Sequence, residues 1–239
     1  MNLSPASAIY LLVIGVFLPY VAIKSALRLN SGAVPMPERS KRIRASFITQ
    51  AFMCGFALWT AHIDGIELFL SPHLNLTAIG LASLILVLAL ATLPLRWRVK
   101  SDAEKRRLYE IVPHGPREPW FWIGLCAAAG IGEEIAYRGV MFGILLWMTG
   151  SWWIASVVSA ISFSVAHAIQ GWRTGIVIFV LTMGLHWLVL VSGDLYMAMA
   201  VHFAYDLIAT AMITRLGDRL GFDESPGSIA APEASANVG

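Results

Sequence analysis

Charge is scarce in this sequence: Lys, Arg, Asp and Glu together make up 13% of 239 residues, against about 25% in a soluble domain. That shortage, with high hydrophobicity, excludes a disordered chain and argues against an ordinary water-exposed domain. Cysteine is nearly absent. Cys54 and Cys126 stand alone in apolar stretches, so they supply neither a disulfide framework nor a metal cluster. There is no His-Glu-x-x-His, internal repeat, low-complexity run or lipidation motif. The first charge is Lys24, so the start of the chain lacks the basic region of a secretory signal.

Apolar residues are what it has in excess, at 57% of the chain with a mean hydropathy of +0.69. They gather into seven stretches near the length of about 20 residues that a bilayer demands, at roughly 7–27, 45–63, 74–95, 119–148, 152–170, 174–192 and 194–214. The expected fold class is all-α, a polytopic membrane bundle of seven transmembrane helices. The count becomes eight if Gly130 and Gly132 break the long fourth stretch. Pro19 lies inside the first stretch, where membrane helices tolerate it. The chain divides into an N-terminal three-span region at 1–117, a chemistry-bearing region at 118–214 and a polar, disordered tail at 215–239.

The few charges are placed with a pattern. Lys24, Arg28, Arg39, Lys41, Arg42 and Arg44 lie in the first loop, and Arg96, Arg98, Lys100, Lys105, Arg106, Arg107 and Arg117 in the third. The second loop carries Asp64 and Glu67 without Lys or Arg, and the turns near Gly150 and Gly193 have neither base. Arg173 follows the fifth stretch, and Arg215 and Arg219 the seventh. Every odd loop is basic, which the positive-inside rule turns into an outside N-terminus and a cytoplasmic C-terminus. The basic loops read as topology signals with some attraction for anionic membrane lipid, and nucleic acid is a poor partner for them. Trp97, Trp120, Trp122, Trp152, Trp153 and Trp172 stand near stretch ends, as interfacial belts require.

Away from the stretch ends, where Lys24 and Asp194 lie close to water, only Glu133, Glu134, Arg138 and Asp206 are charged inside the stretches, each at a cost of roughly 2.5–3.5 kcal/mol at a helix centre. His167, His186 and His202 lie at similar depth. Glu134 and Arg138 are four apart and share a helical face, while Glu133 is rotated from Glu134 by about 100°. Phe163 and His167 repeat the four-residue spacing, as do His202 and Asp206. Converged on one cavity, a buried Glu can act as general base for water, one imidazole can orient that water, and another can donate to an oxyanion. The bland readings are a structural Glu134–Arg138 pair, Phe163 as core packing, and histidines as interhelical hydrogen-bonding glue, which is preferred for His186. Gly139 and Gly143 read as a close-packing pair. His62, His73 and His114 read as solvated.

Three motifs stand in order: Glu133-Glu134-x-x-x-Arg138, Phe163-x-x-x-His167 and His202-x-x-x-Asp206. Together they resemble the CPBP family, the CAAX proteases and bacteriocin-processing (Abi) enzymes, over about residues 118–214. The resemblance implies an intramembrane endopeptidase of glutamic type acting on a membrane-associated or lipid-modified protein or peptide. It makes Glu133 similar to the water-activating carboxylate, with His167 assisting and with Glu134, Arg138 and Phe163 in support. His202 and Asp206 fall where the family places its oxyanion pair, although Asp206 stands where prenyl-processing members have Asn. Protonated, Asp206 could donate; ionised, it could orient His202. Glu and two His are also donors that zinc accepts, but the favoured reading holds no metal. Buried Glu, Asp and His serve equally in a proton-coupled transporter, and a non-catalytic immunity or scaffold protein could keep the same motifs. A bacterial inner membrane fits the chain's size and compact loops best.

Overall fold

The computed structural model describes residues 3–30, 38–70, 72, 75–112 and 118–222. His73, His114 and Arg117, and the tail from 223, lie outside the described residues. Among the described residues every regular element is helical. Helix α1 spans residues 5–30 as Pro5–Tyr10, a π segment Leu11–Phe17 and Leu18–Asn30 without a break. Then follow α2 (Arg39–Asp64), α3 (Leu76–Ala91), the short α4 (Leu93–Arg98) and α5 (Asp102–Ile111). Helix α6 covers residues 118–149 as Glu118–Glu133, a π segment Glu134–Met141 and Phe142–Thr149. The last three are α7 (Trp152–Ala166), α8 (Trp172–Ser192) and α9 (Tyr196–Asp218), with a 3-10 turn at Ala168–Gln170 between α7 and α8. The first four residues of the expected tail, 215–218, are thus the last turn of α9.

The ends follow from local chemistry. Ser4, Asn75 and Ser151 each accept a backbone N–H three residues on, starting α1, α3 and α7. Helices α2, α6 and α8 stop at Gly65, Gly150 and Gly193, whose φ values of 64°, 62° and 77° put them in the left-handed region that glycine enters freely. Amphipathic α5 opens on a complete capping box, in which Ser101 accepts from Glu104 N and Glu104 accepts from Ser101 N.

Four helices are long and apolar enough to cross a bilayer, Pro5–Leu29, Leu76–Arg98, Trp172–Ser192 and Tyr196–Asp218, and Trp152–Ala166 is a shorter apolar helix. Helix α6 has the length but carries Glu133, Glu134 and Arg138 at its middle. All three are buried, at 8%, 0% and 2% exposure, so they face protein and not lipid. Leu12, Val16, Leu76, Val87, Ile176 and Val180 point outward. On a water-soluble protein that belt would be an aggregation surface; here it faces lipid.

Helix α6 is the axis of the bundle. It packs on α2, α7 and α9, and α3, α8 and α9 close the far side. A core of Tyr10, Ile14, Met53, Ala57, Ile135, Tyr137, Val140 and Phe163 surrounds its centre. A second cluster, Ala78, Ala82, Leu185, Leu188, Ala198 and Val201, joins α3, α8 and α9. Its alanines let backbones approach closely, as membrane packing favours.

The fourth stretch does not break at Gly130 or Gly132. It bulges two residues after Gly132, at Glu134, where the π segment begins. A π bulge takes carbonyls out of the regular ladder, and in a membrane they need partners from neighbours. Tyr10 Oη donates to the Ala136 carbonyl at 2.9 Å and Ser159 Oγ to the Tyr137 carbonyl at 2.9 Å. Helix α1 is served likewise: Ser162 Oγ reaches the Gly15 carbonyl at 3.2 Å and the Ile14 carbonyl at 3.4 Å. Gly139 and Gly143 face Leu68 and Ile66 of the segment after α2, so the close packing expected there is against a loop.

Candidate active site

The glycines of α6 place its carboxylates. A methyl group on Gly130 would lie 3.0 Å from the Phe203 backbone nitrogen, so α6 and α9 touch backbone to backbone one turn before Glu133. The contact brings the two glutamates beside His202 of α9. Glu134 is fully buried; its Oε1 forms an ion pair with Arg138 Nη1 at 3.0 Å and accepts from His202 Nδ1 at 2.7 Å. Arg138 also donates from Nη2 to Thr182 Oγ1 of α8 at 3.0 Å. Its guanidinium sits 4.5 Å from the centre of the Phe163 ring, a cation–π contact out of water. The buried carboxylate is thus paired with a buried guanidinium and a histidine N–H, as burial of charge requires, while Glu134 Oε2 and Arg138 Nε lie buried without hydrogen-bond partners.

Glu133 turns the other way. Its Oε1 accepts from Gln50 Nε2 of α2 at 2.5 Å. Its Oε2 lies 4.0 Å from His167 Nε2 and 3.7 Å from His202 Nε2. Both gaps exceed a direct hydrogen bond, and each is one that a water can bridge. His167 Nδ1 lies 2.8 Å from the Phe163 carbonyl oxygen. A carbonyl only accepts, so Nδ1 carries the hydrogen and Nε2 of the neutral ring presents a lone pair to Glu133. Besides the Arg138 guanidinium over its ring, Phe163 has three contacts with the two histidines. Its carbonyl sets the His167 tautomer, its ring lies 4.6 Å from that of His167, and it meets the His202 ring edge-on at 6.2 Å.

Asp206 Oδ2 is 3.6 Å from His202 Nε2, outside hydrogen-bond range. The short bond of His202 goes to Glu134 instead. His186 is buried against Phe142 at 5.1 Å between ring centres, and its Nε2 has no hydrogen-bond partner. It joins α8 to α6 by ring packing, where hydrogen-bonding glue was expected.

Glu133, Arg138, Phe163, His167, His202 and Asp206 all line one cavity of about 340 Å³. Its other walls include Ser46 and Gln50 of α2, Leu108 and Ile111 of α5, Gln170 of the 3-10 turn and Thr174 at the start of α8. Glu134 stands behind this wall. Among the described residues no group of three or more His, Cys, Asp or Glu is arranged to hold a metal ion. Two members of the cluster were not anticipated from sequence, Gln50 and Thr182. Gln50 is the one side-chain amide of the second apolar stretch, which is the signal it offered. Thr182 offered none, since threonine is common in membrane helices.

Residues 115–208 match the family model described as type II CAAX prenyl endopeptidase, Rce1-like. The matched segment contains all three motifs, and the family is the one they resemble. No curated protein and no solved structure matches the chain. The match supports a protease kind of function in an integral membrane protein, and it favours neither the transporter nor the immunity reading.

Proposed function

We propose that this chain is an intramembrane endopeptidase that hydrolyses a peptide bond of a membrane-associated or lipid-modified protein or peptide, using water activated by Glu133 and His167. The observation that carries the proposal is the position of Glu133 Oε2, a water's reach from the Nε2 atoms of both His167 and His202 at the wall of a cavity. A water there donates one hydrogen to Glu133 and the other to the His167 lone pair. Its oxygen attacks the substrate carbonyl carbon. Glu133 takes the proton and returns it to the leaving amine as the carbon–nitrogen bond breaks. His202, anchored through Nδ1 to Glu134, acts as an imidazolium and donates from Nε2 to the oxyanion. Asp206 balances the charge of His202 and borders the oxyanion position. No metal is part of this mechanism.

Seven crossings with the N-terminus outside complete the proposal. Hydrogen bonds sort the helix ends into two groups. Arg42 to the Glu110 carbonyl, Lys100 to Thr174, Arg173 to the Val99 carbonyl and Tyr109 to Asp218 gather the starts of α2 and α8, helix α5 and the end of α9. Ser7 to Asp64 and Asn75 to the Val191 carbonyl join ends at the opposite side. The first group is the basic one and faces the cytoplasm. The cavity reaches it through Leu108, Ile111 and Thr174, so substrate enters from that side. A bacterial inner membrane remains the proposed location.

The test is cleavage by purified protein of internally quenched peptides, with and without a prenyl chain. Glu133→Gln and His167→Ala should each lose about 10²–10⁴-fold in rate while inserting and purifying normally. Wild-type cleavage by Glu133→Gln would overturn the reading.

A further inference from the structure

We infer that Gln50 of α2 is a positioning residue for Glu133, so that a helix outside the matched segment 115–208 helps to build the proposed active centre. The inference rests on the hydrolytic reading of Glu133. Its observation is separate: Gln50 Nε2 donates to Glu133 Oε1 at 2.5 Å.

A glutamate side chain has three rotatable bonds and two equivalent oxygens. To serve as a base it must hold one oxygen on the water and keep the other occupied. Among the ionisable groups near Glu133, Glu134 and Arg138 on α6 are committed to each other and to His202. His167 of α7 and His202 of α9 lie on the Oε2 side, with Asp206 beyond His202. On the Oε1 side the partner is an amide, which donates a hydrogen bond and brings no net charge. Glu133 is thus oriented without the neutralisation that a Lys or Arg there would impose, and such neutralisation weakens a base.

The packing fixes the amide's direction. Gln50 Oε1 is buried without a hydrogen-bond partner, and a methyl group built on Gly132 would lie 3.4 Å from it. The oxygen therefore rests against the Gly132 backbone. Turning the amide over would set Oε1 against the Glu133 carboxylate, oxygen to oxygen, which is repulsive while Glu133 is ionised. Gly132 and Gln50 act together: the glycine clears the space through which α2 reaches the neighbouring carboxylate.

The experiment uses the full chain in detergent or proteoliposomes, with steady-state cleavage measured across pH and thermal unfolding in parallel. Gln50→Met keeps the volume and removes the donor. It should lower kcat about 10–100-fold, as expected for a misplaced base, with KM within about twofold. Gln50→Asn keeps the amide and shortens its reach, and should behave the same way. In Gln50→Glu the two carboxyls share one proton at low pH and restore the hydrogen bond. Its activity should approach wild type there and fall as pH rises and both ionise. Every other ionisable neighbour, including Tyr137 and Cys54, is unchanged in that comparison, so a difference in profile reports position 50. Wild-type kcat in both Gln50→Met and Gln50→Asn would overturn the inference. So would a Gln50→Glu profile of wild-type shape with activity lost only in step with stability, the result of a merely structural contact. If Glu133→Gln itself cleaves normally, the hydrolytic reading fails first. If Glu133→Gln is inactive and the Gln50 variants are normal, only the role of Gln50 fails.

Discussion

Two adjacent glutamates hold opposite positions in this bundle. Glu134 is sealed with Arg138 and His202, and Glu133 faces the cavity with Gln50 behind it. Their mutants should therefore differ. Arg138→Met leaves a buried carboxylate without its cation, an error of about 3–5 kcal/mol, and should appear as a sharply lowered unfolding midpoint. The double substitution Glu134→Met with Arg138→Met removes both charges and should recover most of that stability. It should stay inactive, because His202 Nδ1 has then lost its acceptor. Recovery of cleavage together with stability would show that Glu134 only neutralises arginine. The sequence could disclose the Glu134–Arg138 pair, because positions four apart on a helix meet whatever surrounds them. It could not disclose the partner of His202. Spacing paired that ring with Asp206, and the stronger acceptor came from another helix across the Gly130 contact, which no periodicity within α9 encodes.

At the scale of elements, the unanticipated feature is the π segment in α6. Glycines at 130 and 132 suggested a break, but they serve as contact points against α9 and α2, and the bulge is sustained by donors on α1 and α7. Those donors are hydroxyls, and hydroxyls in apolar stretches look alike in sequence whether or not they serve a bulge. Tyr10→Phe and Ser159→Ala should each cost about 1 kcal/mol by leaving a buried carbonyl unpaired, read as a lowered unfolding midpoint. They should reduce kcat beyond what stability explains, because the segment carries Glu134 and Arg138. Outside the membrane, α5 offers a pH test. Backbone and side-chain hydrogen bonds from Ser101 hold the Glu104 carboxyl below its usual value. A depressed carboxyl contributes stability above its unfolded pKa, and that contribution fades as pH falls through the lower folded value. The stability gap between wild type and Ser101→Ala should therefore be full at neutral pH and shrink below the ordinary glutamate value of 4.5. A gap independent of pH would mean that the Ser101 hydroxyl's bond to the Glu104 carboxylate adds nothing, since the alanine variant keeps the backbone N–H that Glu104 also accepts.

At the scale of the whole molecule, charge asymmetry and cavity shape point the same way. The end that gathers Arg42, Lys100 and Arg173 is also the end the cavity reaches. The opposite end, where Ser7 meets Asp64, lies beside the Gly143 contact with Ile66. If basic loops stay cytoplasmic, the catalytic water and the substrate both arrive from the cytoplasm. The two native cysteines, one at the cavity wall and one beside Gly132, must first be removed with Cys54→Ala and Cys126→Ala. In that background Lys41→Cys, at a side chain 65% exposed on the basic end, should react with an impermeant maleimide only in inside-out vesicles. Glu67→Cys, exposed at the other end, should react only in right-side-out ones. Labelling of both from one face would exclude the odd crossing between them, and with it the seven-span arrangement. Labelling on reversed faces would keep the bundle and turn the cavity mouth outward, leaving the enzyme to act on exported substrates.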